Sequence, residues 1–87
     1  MDNISNIKNI LNQLISSELK EYKNITLDSY FIGPNSEIDS IDIMSSLAFI
    51  EDNLEEKGIS EIDLFDEIFK YKELTFNQLI DLIINLI

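Results

Sequence analysis

Apolar residues recur at helical spacing in three stretches of the chain. Ile4, Ile7, Leu11, Leu14 and Ile15, with Ile10 beside them, form one face of a first helix predicted over residues 4–20, and Asn3 stands where a cap belongs. A second stripe, Ile43, Met44, Leu47, Ile50 and Leu54, predicts a helix from Ser40 to Lys57. Asp39 is its cap, Asp42 stands in a box-like relation three residues later, and Lys57-Gly58 is its stop. At about 100° per residue, Asp42, Ser45, Phe49, Asp52, Asn53 and Glu56 fall on the opposite, solvent-facing side. A third stripe, Phe76, Leu79, Ile80, Ile83 and Ile87, follows Thr75-Phe76-Asn77-Gln78, in which Thr and Gln can cap reciprocally. Between the second and third stripes, after an irregular link at 59–63, Leu64, Phe65, Ile68 and Phe69 predict a short helix of about two turns.

Residues 21–38 lack this periodicity. Asn24, Thr26, Asp28 and then Gly33-Pro34-Asn35-Ser36 are turn formers that a continuous helix would not tolerate. Ile25, Leu27, Tyr30, Phe31 and Ile32 make the segment too apolar to float free, so it is expected to pack on the core with a short helical turn. With no repeat, linker or low-complexity tract, residues 1–87 are expected to form a single all-α domain of three long helices and one short.

Composition narrows the chemistry. Seventeen acidic residues against six lysines give a net charge of -11, which repels nucleic acid and attracts partners with basic docking surfaces; the same balance also serves plain solubility. Cysteine and histidine are both absent, removing disulfides, thiolate nucleophiles, most zinc sites and the usual base near neutral pH. No calcium loop, Gly-rich phosphate loop or sign of a desolvated carboxylate pair is present, so no metal site or catalytic residue is assigned. The most apolar stretch, Leu79–Ile87, is too short to span a bilayer and contains Asp81, and no export signal opens the chain. A cytoplasmic monomer is expected. If the chain takes part in chemistry, its reactive group is expected to arrive as a prosthetic group.

Glu37-Ile38-Asp39-Ser40-Ile41-Asp42 places a serine in the first turn of an exposed helix, where backbone amides and the helix dipole favour a phosphodiester. Asp and Ser are also simply preferred at helix starts, and the tripeptide alone decides nothing. The whole arrangement, however, resembles the acyl carrier protein family. Asp39, Ser40 and Ile41 match its Asp-Ser-Leu motif, Met44, Leu47, Ile50, Glu51 and Leu54 follow at the spacing of its second helix, and Gly33 to Ile38 resembles its approach to the serine. The resemblance implies a four-helix acyl-carrier-like bundle with a long loop between helices I and II. It also implies that a phosphopantetheinyl transferase attaches 4'-phosphopantetheine from coenzyme A to Ser40. The thiol of that arm then holds acyl intermediates as thioesters for acyl-loading and acyl-transfer enzymes. Asp42, Ser45, Phe49, Asp52 and Glu56 would form the face those enzymes read.

Ser45, Ser46 and Phe49 depart from many fatty-acid carriers, which have an acidic residue, a leucine and a small residue there. The departures favour a specialised stand-alone carrier for polysaccharide modification or secondary metabolism over the housekeeping carrier of fatty-acid biosynthesis. D-alanyl and peptidyl carriers share the motif, and a cofactor-free acidic interaction module is the alternative from another class. Phe49 is either an anchor on the outward face or a core residue covered by the loop or the short helix.

Overall fold

The structure is a computed structural model and describes residues 3–59 and 62–87. Helix α1 spans Asn3–Ser16 and buries Ile7, Ile10, Leu11 and Leu14, as the spacing requires. It ends earlier than the expected residue 20. The Ser16 and Ser17 hydroxyls both donate to the Gln13 carbonyl (3.2 and 2.6 Å), and the Leu19 amide reaches back to the Leu14 carbonyl (3.1 Å). Side-chain bonds of this kind offer the backbone an alternative to the helical ladder. Leu19 is nonetheless fully buried, brought in by the turn. Asn3, the expected cap, is already helical, and the cap position before it lies outside the described residues.

The all-α expectation is overturned by the segment read as a loop. Strand β1, Tyr30–Ile32, pairs antiparallel with strand β2, Leu74–Thr75, with Tyr30 opposite Thr75 and Ile32 opposite Leu74 and an irregularity between them. The two form a two-stranded sheet, so the domain is mainly helical with a small β element, not a pure helical bundle. Strands of three and two residues are too short for period-2 alternation to declare itself. Gly33 makes the pairing possible. At φ +114° it occupies backbone space that L side chains avoid, and a Cβ there would lie 2.5 Å from the Glu73 Cβ. Phe31, on β1, is fully buried and meets Phe76 edge to face, with ring centroids 5.2 Å apart.

Helix α2 spans Ser40–Glu56, α3 Leu64–Ile68 and α4 Phe76–Leu86. In α3, Leu64 and Ile68 are buried, and Asp63 caps by accepting the Asp66 amide at 3.0 Å. The Glu51 carboxylate of α2 also accepts the Leu64 amide at 2.8 Å, which ties α3 to α2. The helix is shorter than expected, and Phe69 lies beyond it at 70% exposure instead of facing inward. Part of the 59–63 link, residues 60 and 61, lies outside the described residues. In α4, Phe76, Leu79, Ile80 and Ile83 are buried with Leu82, while Ile87, expected inward, is about half exposed.

Candidate functional site

Ser40 is the first residue of a 17-residue helix and is exposed, as is Asp39 before it. Its hydroxyl makes no hydrogen bond among the described residues, and Ile41 beside it is 78% exposed. Asp39 adopts the extended backbone of a cap (φ -65°, ψ 152°) but its carboxylate accepts no helix amide, contrary to the expected box. The phenol of Tyr22 takes over. Its hydroxyl accepts the Asp39 amide at 3.1 Å and donates to the Asp42 carboxylate, inserting itself between the two ends of the box that the sequence suggested.

The amides of Ser40, Ile41 and Asp42 find no protein acceptor among the described residues, and the ladder starts with the Ile43 amide on the Asp39 carbonyl at 2.9 Å. Free first-turn amides with the positive end of a helix dipole stabilise a negative group. An exposed, unbonded serine hydroxyl at that point fits the attachment of a phosphodiester: Ser40 would hold the arm, and the three amides would face its phosphate. A hollow of about 290 Å³ close by in sequence is lined by Lys23, Asn24, Ile25, Ser29, Tyr30, Asn35 and Glu37, not by Ser40.

Electrostatics at this end are set by Tyr22 and the carboxylates. The Asp39 amide bonded to its oxygen draws the Tyr22 phenol down, but the bond to Asp42, desolvation and the Asp39 and Asp42 charges together leave it above its ordinary value. Among the described residues the one ion pair is Lys70 with Glu67 at 2.8 Å, and the Glu67 carboxylate holds the Lys70 ammonium above its usual range. Among the described residues the carboxylates of α2 therefore have no cationic partner.

The proposed reading face of α2 is only partly assembled. Ser45, Asp52 and Glu56 are exposed. Asp42 is half-buried with its carboxylate engaged by Tyr22, and Phe49 is half-buried against the hydrophobic core. The outward placement of Phe49 is thus corrected: its ring leans half-buried on the core without joining the fully buried set. The reason is helix phase. The buried arc of α2 runs through Ser46, Leu47, Ile50 and Leu54, turned away from Met44, which is 44% exposed despite its place in the expected stripe. Ser46 can be buried because its hydroxyl donates to the Asp42 carbonyl at 2.6 Å, leaving no orphaned polar atom.

Sequence reasoning missed Tyr22, which lies 17 residues from Asp39 and 20 from Asp42. No local spacing rule reaches that far. Among the described residues no helix is long and apolar enough to cross a membrane. In comparisons with known proteins, no family model, no curated protein and no solved structure matches this chain.

Proposed function

We propose that this chain is a carrier protein in which Ser40 bears a 4'-phosphopantetheine arm. The observation that carries the reading is the exposed Ser40 hydroxyl at the head of α2, which like the three backbone amides beside it has no protein partner among the described residues. It is supported by the resemblance of Asp39-Ser40-Ile41 and the helix after it to the acyl carrier motif. When bound, the arm supplies a thiol that the chain lacks and holds an acyl group as a thioester. The chain's own residues do simpler work: Ser40 anchors the phosphodiester, the amides of the first turn offset its charge, and the exposed Ile41 and Met44 offer apolar contacts beside it. Catalysis belongs to partner enzymes, and the unpaired carboxylates of α2, Asp52 and Glu56 among them, favour partners with basic docking surfaces in a cytoplasmic setting. The cargo is an acyl group of fatty-acid, polysaccharide-modification or secondary-metabolite biosynthesis, or an aminoacyl group as in D-alanyl and peptidyl carriers.

A cofactor-free interaction module is the second reading, favoured by the same exposed Ile41 within an acidic surround. Intact-mass measurement after incubation with coenzyme A and a phosphopantetheinyl transferase separates the two. Wild type gains one arm, and Ser40→Ala gains none while keeping its helical content. Modification of another serine, or none at all, overturns the carrier assignment.

A further inference from the structure

Helix α2 begins without help from its own sequence. The cap residue Asp39 makes no side-chain cap bond, Ser40 and Ile41 are exposed, and of the first turn only Ile43, at its far end, packs against the core. Isolated first turns fray because few hydrogen bonds offset the backbone order they require. Around the serine itself the tie to the rest of the molecule is the Tyr22 hydroxyl, which bonds Asp39 on one side of Ser40 and Asp42 on the other. Tyr22 is itself anchored: it is partly buried against the core, and its amide bonds the Leu19 carbonyl at 3.0 Å, with Leu19 fully buried. The bridge therefore runs from the core, through the phenol, to both flanks of the serine.

We infer that Tyr22 is a positioning residue for Ser40, a tertiary cap that holds the first turn of α2 formed so that a modifying enzyme meets the serine in one geometry. The inference rests on the reading of Ser40 as an attachment site. Its physical content is a population. Tyr22→Phe keeps the ring and its packing but removes both bonds, so the first turn spends part of its time frayed, and the competent fraction falls. Loss of competent population weakens apparent affinity in proportion, and leaves turnover of the bound complex unchanged.

The test measures two things on Tyr22→Phe. Amide exchange of Ile43, whose hydrogen bond to the Asp39 carbonyl closes the first turn, is expected to quicken by at least about fivefold, the equivalent of one ordinary hydrogen bond of the two removed. For coenzyme A-dependent modification, KM for the carrier is expected to rise with kcat unchanged, by the factor by which the competent fraction falls and at most by the factor seen in exchange. Thr75→Ala, which uncaps α4 instead, is the control for general destabilisation and is expected to leave Ile43 exchange and KM at wild-type values. Wild-type exchange at Ile43 in Tyr22→Phe overturns the tertiary cap. Faster exchange with an unchanged KM, or an equal rise of KM in Thr75→Ala, overturns the positioning role. Should wild type accept no arm, the carrier reading falls along with the positioning role, while Ile43 exchange still decides whether Tyr22 caps the helix.

Discussion

At the start of α4 each of the first four amides meets a protein oxygen, whereas at the start of α2, among the described residues, only the Asp39 amide does. In α4 the Thr75 amide donates to Gln78 Oε1 (2.9 Å) and the Gln78 amide to Thr75 Oγ1 (3.1 Å), while the Phe76 and Asn77 amides reach the Ser29 and Leu27 carbonyls (3.0 and 2.9 Å). The Asn77 side chain adds a bond to Asp28 at 2.8 Å. That end is closed, and its first residue, Phe76, is fully buried against Phe31. In α2 the first two residues, Ser40 and Ile41, are exposed, three amides find no acceptor among the described residues, and the capping contact is brought from a distant tyrosine. The same backbone chemistry thus serves structure at one helix start and remains available to a ligand at the other. Proximity of other elements decides which.

The contrast is broken most forcefully by truncating the first apolar residue of each helix. Phe76→Ala is expected to cost about 3–5 kcal/mol, because it empties a packed site that Phe31 cannot refill. Ile41→Ala is expected to cost under about 0.5 kcal/mol, because its side chain already lies in water. Chemical denaturation of the two variants gives both numbers. A large loss for Ile41→Ala would mean that the first turn of α2 is covered.

Uncapping separates the two ends at a smaller scale. Thr75→Ala is expected to destabilise by about 1 kcal/mol through the lost box. Asp39→Ala is expected to cost about 0.3 kcal/mol, the remnant of a charge near a helix dipole, since its carboxylate makes no cap bond. Equal costs in thermal melts would show that Asp39 caps α2 in solution and that the contrast is local after all.

The smallest effect is in alkali. Tyr22 is held above its ordinary value of 10.0 in the folded protein. For a group whose folded value is raised, the stabilising contribution is whole below the unfolded value and disappears as pH climbs through the folded one. The stability difference between wild type and Tyr22→Phe is therefore expected to shrink above about pH 10. An ultraviolet phenolate titration of both proteins should assign the late-ionising tyrosine to position 22. Identical titrations, after allowing for one fewer ring, would remove the Tyr22–Asp42 bond from the account.

Local patterns were enough to place the helices and half of the site. Ile7, Leu11 and Leu14, Leu47, Ile50 and Leu54, and Leu79, Ile80 and Ile83 are core because period-3.6 spacing admits one inward face, and Thr75-Gln78 is a box because both partners lie within one turn. Ser40 as the exposed head of α2 follows equally from short-range information. Three features depended on contacts between distant residues. Strands β1 and β2 pair across more than forty positions and exist only because each supplies the other's hydrogen bonds. The phase of α2, which buries Ser46, exposes Met44 and leans Phe49 on the core, was set by the neighbours it packs against, since a helical wheel alone tolerates a modest rotation. The Tyr22 cap joins residues that no spacing rule connects. Sequence by itself determined what can be satisfied within a turn or two of chain, and tertiary structure decided which backbone groups and side chains found partners from elsewhere, because only the folded chain brings such groups within hydrogen-bond range.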